Sequence, residues 1–331
     1  MSFLSDLLNG VLEIDPSADV IDYHNTWSTW GDLKRSIDAI KAALAELGLG
    51  EGARIGVMIR NHPDVVAAIL SAVSVDGTMV SINHMLPEDK LRADLERLDL
   101  PVVIGIDEDF ARPGLLDTLK AAGTAVIETQ PVLKGARLRP GFEKITGANI
   151  RREQPGVIIE MLTSGTTGTP KRIPLQRDAF LQSFKSAMSY ESDRSPDDPP
   201  RLRSGVQLLG GPMAHIGGLW HALSTILAGR KACIIEKFSV DVWRDAIVRH
   251  RPKVAGAVPT GLRMILDANL PREDLASLVA LRTGAQPLDP AITQEFLDRY
   301  DLPVLQNYGA TEFSANSTHP SPAVLASSSP A

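Results

Sequence analysis

Leu33, Ile37, Ile40, Leu44 and Leu47 recur at alternating steps of four and three, which lays one apolar stripe along a helix. Gly48 and Gly50 stand where that helix must end, because glycine alone enters the left-handed C-cap conformation without cost. The pattern then changes period. "RIGVMI" (54–59) is a short, nearly continuous apolar run, followed by a helical stretch opened by Pro63 and a second apolar run, "TMVSI" (78–82). A charged helix over Pro87–Leu98 and the run "PVVIG" (101–105) repeat the alternation. Strands without a polar face are covered on both sides, so the pattern predicts a mostly parallel sheet with helices packed against it.

The segment 130–154 is rich in loop-forming residues, after which the alternation resumes. "VIIEML" (157–162) predicts a strand, and "LQRDAFLQSFKSAMSYE" (175–191) a helix behind it. Beyond a polar, proline-rich loop at 192–204, strands are expected at 205–210, 231–236, 253–258, 278–284 and 303–309. Helices are expected near Val240–His250, Thr260–Ala268 and Asp289–Tyr300. The fold class that follows is α/β, with two βαβ-layered subdomains of mostly parallel sheets covered by helices. A subdivision near residue 150 is expected within a unit spanning 1–313. From Ser314 to Ala331 the chain is serine, alanine and proline with little to bury, and disorder is expected there.

Composition narrows the partners more than the fold. The 331 residues carry a formal net charge of −6 and contain no lysine/arginine block, which argues against nucleic acid as the main partner. No apolar run approaches the ~20 residues that span a bilayer, and the N-terminus lacks the basic start of a signal peptide. With one cysteine, Cys233, a disulfide framework is excluded and a reducing, cytoplasmic location is expected. The apolar setting of Cys233 marks it as a buried strand residue.

Candidate chemistry concentrates in "MLTSGTTGTPK", Met161 to Lys171. Glycines let the backbone approach an anion, hydroxyls add neutral donors, and Lys171 supplies the one positive charge. Such a run holds phosphates or is a surface turn, and composition leaves both readings open. The NTPase pattern G-x-x-x-x-G-K-[ST] is not met, since Pro170 precedes the lysine and Arg172 follows it. A phosphate-loop kinase or ATPase is therefore disfavoured. "QNYGATEF" (306–313) follows an apolar strand and gathers Tyr308, Thr311 and Glu312 at its carboxyl end, where parallel α/β sheets bind ligands. Tyrosine can stack on a base, threonine can bond a phosphate, and glutamate can hold a hard cation such as magnesium.

Together, "TSGTTGTPK" and "YGATE" resemble the signature motifs of the adenylate-forming (AMP-binding) superfamily, and of its acyl-CoA synthetases in particular. "INHMLPEDKL", "GPMAHIGGL", "AVPTGLRMIL" and "RTGAQPLDP" are similar to further family patches, so the resemblance runs from about Trp30 to Phe313. It implies ATP-dependent activation of a carboxylic acid as acyl-adenylate, then transfer to coenzyme A, with Mg2+ as the metal. By the same resemblance Thr163, Ser164, Gly165, Thr166, Thr167, Gly168 and Lys171 would close over the β- and γ-phosphates. Gly284, Ala285 and Gln286 would line the adenine, with Asn307, Tyr308 and Gly309 beside it and Tyr308 stacking. Thr311 would meet the α-phosphate, Glu312 would hold the metal, and Thr311, Glu312 and Lys171 would be the catalytic set. His215, Gly217 and Gly218, beside Trp220, would border the acid. Amino-acid-activating relatives carry an aspartate at the start of that patch; Pro212-Met213-Ala214 here points to a non-amino acid, fatty or aryl.

The chain also departs from the family pattern. The ribose-gripping Tyr/Thr-Gly-Asp motif, the hinge arginine and the lysine-bearing small C-terminal domain are not found, and Arg172 replaces the small residue usual after the lysine. The expectation is a large N-terminal domain only, impaired in adenylation and without thioester formation. Its alternatives are a non-catalytic nucleotide- or acyl-binding remnant, or the large half of a split ligase with a separately encoded C-terminal domain.

Overall fold

The computed structural model describes residues 3–147, 153–163, 171–189, 198–284 and 286–306. In chain order the first elements are α1 (Phe3–Leu12), β1 (Asp19–Tyr23), β2 (Thr26–Thr29), α2 (Trp30–Glu46), β3 (Arg54–Ile59), α3 (Pro63–Ser74) and β4 (Thr78–Asn83). Next come α4 (Glu88–Leu98), β5 (Val102–Ile106), α5 (Asp107–Phe110), α6 (Leu115–Ala122), β6 (Ala125–Gln130) and β7 (Gly135–Leu138). The hairpin of β8 (Val157–Thr163) and β9 (Lys171–Gln176) leads into α7 (Arg177–Ser189), β10 (Arg203–Leu209), α8 (Ile216–Leu227) and β11 (Arg230–Ile234). The described chain ends with α9 (Val240–His250), β12 (Val254–Gly256), α10 (Pro259–Asp267), α11 (Arg272–Leu275), β13 (Ala280–Thr283), α12 (Pro290–Tyr300) and β14 (Val304–Gln306).

The strands form three sheets, ordered β7-β6-β5-β3-β4-β8-β9, β10-β11-β1-β2 and β12-β13-β14. Among the paired strands, only β6–β7, β8–β9 and β1–β2 run antiparallel, so each sheet is parallel at its centre, as the apolar strands predict. Sheet membership crosses residue 150: β8 joins the early strands beside β4, while β1 pairs with the late β11.

Strand alternation decides what each face of the seven-stranded sheet covers. Ile55, Val57 and Ile59 of β3 enter one core with α1, α2, α3 and α8, whereas Met58 points to a second core with Leu91 and Leu95 of α4. Helix α3 is buried along its whole length, the state expected of a helix that is apolar all round. A third core, centred on Trp243, Phe296 and Leu281, joins α9 and α12 to the three-stranded sheet.

The local signals act as physical chemistry requires. Helix α2 opens with a capping box in which Thr29 Oγ1 accepts from Asp32 N–H at 3.1 Å and Asp32 accepts from Thr29 N–H at 2.9 Å. It closes at Gly48, whose φ is 68°. The helix expected from Leu175 begins instead at Arg177, because Lys171–Gln176 is a strand. Pro174 and the charged start made that strand illegible; it is an edge strand, where proline is tolerated. Among the described residues, no helix is long and apolar enough to cross a membrane.

Candidate functional site

The segments singled out by sequence follow the carboxyl ends of β8, β10, β13 and β14, which lie in parallel arrays. Asn61, just past β3, joins two of the sheets at these ends. Its Nδ2 donates to Gly211 O at 3.2 Å and to Ile235 O at 3.0 Å, and its Oδ1 accepts from Met213 N–H at 2.9 Å. One amide side chain thus fixes the loop after β10, the end of β11 and the end of β3 together. The sequence offered only a weak signal for it: a polar residue between an apolar strand and the proline that starts a helix.

In the β8–β9 hairpin the last paired rung is Thr163 opposite Lys171. Lys171 is exposed at the start of β9, so its ammonium stands where the intervening segment returns to the sheet. Ser164, Gly165, Thr166, Thr167 and Gly168 lie outside the described residues, as do Ala285, Asn307, Tyr308, Gly309, Thr311 and Glu312.

Alternation along β9 sends Arg172 to the other face from Lys171. There its Nη2 donates to Asp94 at 2.6 Å and its Nη1 to Ser81 O at 3.0 Å, with Glu160 3.8 Å away. Asp94 also accepts from Arg97 at 2.7 Å, and Glu160 pairs with Arg54 at 3.2 Å. Arg97, Asp94, Arg172, Glu160 and Arg54 therefore form a ladder of alternating charge beneath the strand that carries Lys171. The residue that departs from the family pattern is an anchor for that strand.

After β10 the chain turns through Pro212, whose carbonyl accepts from His215 N–H at 3.0 Å, and enters α8. His215 is exposed at the helix N-cap, and its side chain makes no capping bond. Gly217 and Gly218 differ sharply. A Cβ on Gly218 would lie 2.2 Å from Pro212 O, so the helix can seat there only on glycine, whereas a Cβ on Gly217 would enter open space. Trp220 packs edge-on against Phe180 at 4.9 Å and Phe184 at 5.8 Å, making an aromatic wall between α7 and α8. At the next residue, burial and the charge of Arg282 push His221 down to about 4.

Gly284 follows the buried end of β13, and Gln286 is exposed beyond it. Gln306, at the end of β14, donates to Gln286 O at 3.4 Å and so ties together the loops after β13 and β14. Thr283 is buried and its Oγ1 has no hydrogen-bond partner among the described residues. A buried unpaired hydroxyl is costly, which makes it an orphaned donor at the edge of the loop expected to meet adenine. Asn61, Asp94, Thr283 and Gln306 were not singled out by the sequence.

Two surface clefts with charged residues in their lining lie elsewhere: one, of about 520 Å3, runs along Glu128, Arg137 and Arg139, and the other, of about 430 Å3, covers the charged ladder at Arg54 and Glu160. Neither is lined by the residues that the sequence singled out for nucleotide or acid.

Comparison with known proteins shows the family and the fold. The family model for AMP-binding enzyme matches residues 12–330. The 2-succinylbenzoate–CoA ligase of Bacillus pumilus (strain SAFR-032) is 26% identical over 299 residues, covering 90% of this chain and 57% of the relative. This chain thus spans little more than half the length of that relative. Among solved structures, O-succinylbenzoate coenzyme A synthetase (MenE) from Bacillus subtilis, in complex with ATP and magnesium ion, superposes with a TM-score of 0.71 at 20% identity, covering 94% of this chain and 60% of that one. The inhibitor-bound N-terminal domain of FACL13 from Mycobacterium tuberculosis gives 0.73 at 19% identity, covering 94% and 77%. With its strand-end loops, its lysine-closed hairpin and a family match over nearly its whole length, this chain belongs to the AMP-binding enzyme family.

Proposed function

We propose that the chain carries the nucleotide- and acid-binding part of an AMP-forming acid–thiol ligase, which activates a non-amino carboxylic acid as its acyl-adenylate. In the longer relatives the acyl group then passes to a thiol such as coenzyme A. The observation that carries the reading is the Thr163–Lys171 rung, which sets one cation at the mouth of a hydroxyl- and glycine-rich segment at a strand's carboxyl end. Attack of a carboxylate on the α-phosphate of ATP needs alignment and charge neutralisation more than covalent help from the protein.

Within that reading Lys171 meets the β- and γ-phosphates, and residues 163–168 supply backbone and hydroxyl donors around them. Gly284, Ala285 and Gln286 bound the adenine, with the orphaned Thr283 hydroxyl in reach of a polar ligand atom. Asn307, Tyr308 and Gly309 complete that wall, and Thr311 contacts the α-phosphate. Magnesium, held by Glu312, would neutralise the phosphate charge. His215 and Gly217 face the acid, and the open space beside Gly217 leaves room for it, while Gly218 lets α8 approach the loop. An aryl or fatty acid fits the aromatic wall at Trp220 better than a short polar one. Residues 1–313 would belong to the large domain, with a lysine-bearing small domain supplied in cis or by a separate chain. The one buried cysteine fits a cytoplasmic enzyme.

The test is a thermal-shift titration with Mg·ATP and non-hydrolysable acyl-adenylate mimics bearing short, long or aromatic acyl groups. Ligand at a hundred times its Kd adds about 2.7 kcal/mol to native stability. A rise for one acyl class, and a separate rise with Mg·ATP that Lys171→Ala abolishes, are the expected results. An Lys171→Ala protein that binds ATP as well as its parent would refute the assignment of the loop.

A further inference from the structure

Away from these loops, strands β1 and β11 pair so that Asp22 stands directly opposite Cys233. Two neighbouring strands thus bury a carboxylate and a thiol side by side, at 1% and 4% exposure. His250, the last residue of α9, brings its ring to the same point, with Nε2 2.7 Å from Asp22 Oδ2. Among the described residues, this is a group of metal-ligating types whose ligand atoms all lie within 4.8 Å of one another. Apolar packing accounts for the cysteine but not for the carboxylate and the imidazole beside it.

The hydrogen bonding of the cluster is unbalanced. Asp22 Oδ2 meets both Arg249 Nη1, at 2.6 Å, and His250 Nε2, while Asp22 Oδ1 is buried with no partner among the described residues. An unpaired carboxylate oxygen at that depth is expensive, and a ligand that takes it removes the expense. Arg249 Nη1 also lies 3.2 Å from His250 Nε2, so the guanidinium occupies the place of a cation between the carboxylate and the ring. It has a second home: Arg249 Nε donates to Asp245 at 2.8 Å, and the side chain is 32% exposed. Arg249 can withdraw to Asp245 without leaving its charge unpaired.

We propose that Asp22, Cys233 and His250 form a structural zinc site that exchanges with the guanidinium of Arg249. The donor set selects the metal, because one thiolate, one imidazole and one carboxylate suit zinc, whereas magnesium and calcium take oxygen alone. Zinc–ligand lengths of about 2.0–2.3 Å give tetrahedral edges of about 3.3–3.8 Å, so the observed cluster closes around the ion with side-chain movements of about an ångström. On binding, the Cys233 thiol gives its proton to solvent and its sulfur bonds the metal, the His250 proton moves from Nε2 to Nδ1 so that Nε2 can coordinate, Arg249 leaves the carboxylate, and a water takes the fourth position. No oxidation or reduction is involved. The bound ion ties the end of α9 to β1 and β11, and Trp27, whose ring lies 5.5 Å from that of His250, closes the outer side.

The experiment uses the whole chain stripped with a chelator and dialysed. Zinc is titrated against a chromophoric competitor, and cobalt is added in parallel to look for the near-ultraviolet charge-transfer band of a thiolate–cobalt bond. One equivalent of zinc, a raised unfolding temperature and a cobalt band lost in Cys233→Ser are the expected results. His250→Gln should weaken binding, and Arg249→Gln should tighten it, because its cation competes for the carboxylate. Circular dichroism of each variant separates loss of the site from loss of the fold; Arg249→Gln, altered at a partly exposed position, keeps the test decisive if the buried variants misfold. Sub-stoichiometric zinc in the parent, a cobalt spectrum without the band, or unchanged affinity in Arg249→Gln overturns the proposal.

Discussion

Replacing Asp94 by alanine strands the guanidinium of Arg172 under the strand that carries Lys171. The Arg172 side chain is 12% exposed and Asp94 is 6% exposed, so their 2.6 Å contact is desolvated. Removing one partner of a buried ion pair costs about 3–5 kcal/mol, because the remaining charge has lost its compensation. Two features hold this case at the lower end. Arg172 keeps Ser81 O at 3.0 Å and Glu160 at 3.8 Å, and Arg97, the other partner of Asp94, is 60% exposed and returns to water. About 3 kcal/mol is expected for Asp94→Ala.

The converse change should be milder. Arg172→Met leaves Asp94 with Arg97 and Glu160 with Arg54, so each carboxylate retains a cation. The double variant Asp94→Leu/Arg172→Met replaces the pair by apolar groups and should fall within about 1 kcal/mol of the parent, as buried pairs commonly do. Urea unfolding reads all three, with a shifted midpoint at unchanged slope marking a change in stability alone. With Asp94→Leu as the matching single variant, the double-mutant cycle gives a coupling of about 2 kcal/mol or more. An Asp94→Ala protein within about 0.5 kcal/mol of its parent, or a double variant as unstable as that single one, refutes the picture of a desolvated ladder, since surface changes routinely cost that little.

Other outcomes follow from the same geometry. Asn61→Ala removes three hydrogen bonds that join β3, β10 and β11, each worth about 1 kcal/mol, and should cost about 3 kcal/mol in urea unfolding while weakening binding of acyl-adenylate mimics. Gly218→Ala should distort the loop at Pro212 and lower both stability and ligand binding; Gly217→Ala should be tolerated, and Gly217→Val should discriminate against bulkier acids in the same titration. Burial first, then the charge of Arg60, pushes His62 down to about 4 from 6.5, so the unfolded chain binds the extra proton and stability falls as pH drops from 6.5 towards 4. Burial pushes Asp64 up to about 6 from 3.8, which has the opposite sign: its ionised form costs stability above pH 6, and the cost is relieved on acidification. At 1.36 kcal/mol per pKa unit each effect is about 3 kcal/mol, so they nearly cancel. His62→Asn keeps an N-cap for α3 but abolishes one limb, so its stability in urea unfolding should rise from pH 7 to pH 5, where that of the parent changes little.

What could be read from sequence was what repeats. The stripe from Leu33 to Leu47 and the apolar runs at 54–59 and 101–105 announce their elements because burial on one side or on both leaves a period in the chain. The glycines and hydroxyls before Lys171 form a local run that composition alone leaves open between a phosphate-holding loop and a surface turn. What stayed hidden was whatever depends on two distant segments meeting. Strand β9 carries Pro174 and becomes a strand only by pairing with β8, and β1 joins the late β11 across nearly the whole described chain.

The same reason explains why these supporting contacts were missed while the candidate motifs could be named. Residues that would touch nucleotide sit in short local motifs, because a ligand's phosphates and base are each gripped by a few consecutive backbone groups. Asn61 and Arg172 act on partners far away in sequence: Gly211, Met213 and Ile235 for one, Asp94 and Ser81 for the other. Nothing local distinguishes Asn61 from a loop asparagine or Arg172 from a solvated edge residue. Each also holds only its own side of the site: the ladder fixes β9 and with it Lys171, while Asn61 fixes the loop that leads to His215. Loss of the ladder should therefore weaken phosphate binding more than acid binding, and loss of Asn61 should do the reverse. ATP alone and an acyl-adenylate mimic, titrated into Arg172→Met and Asn61→Ala, separate the two; equal losses of both ligands in both variants would mean that the two loops move as one body.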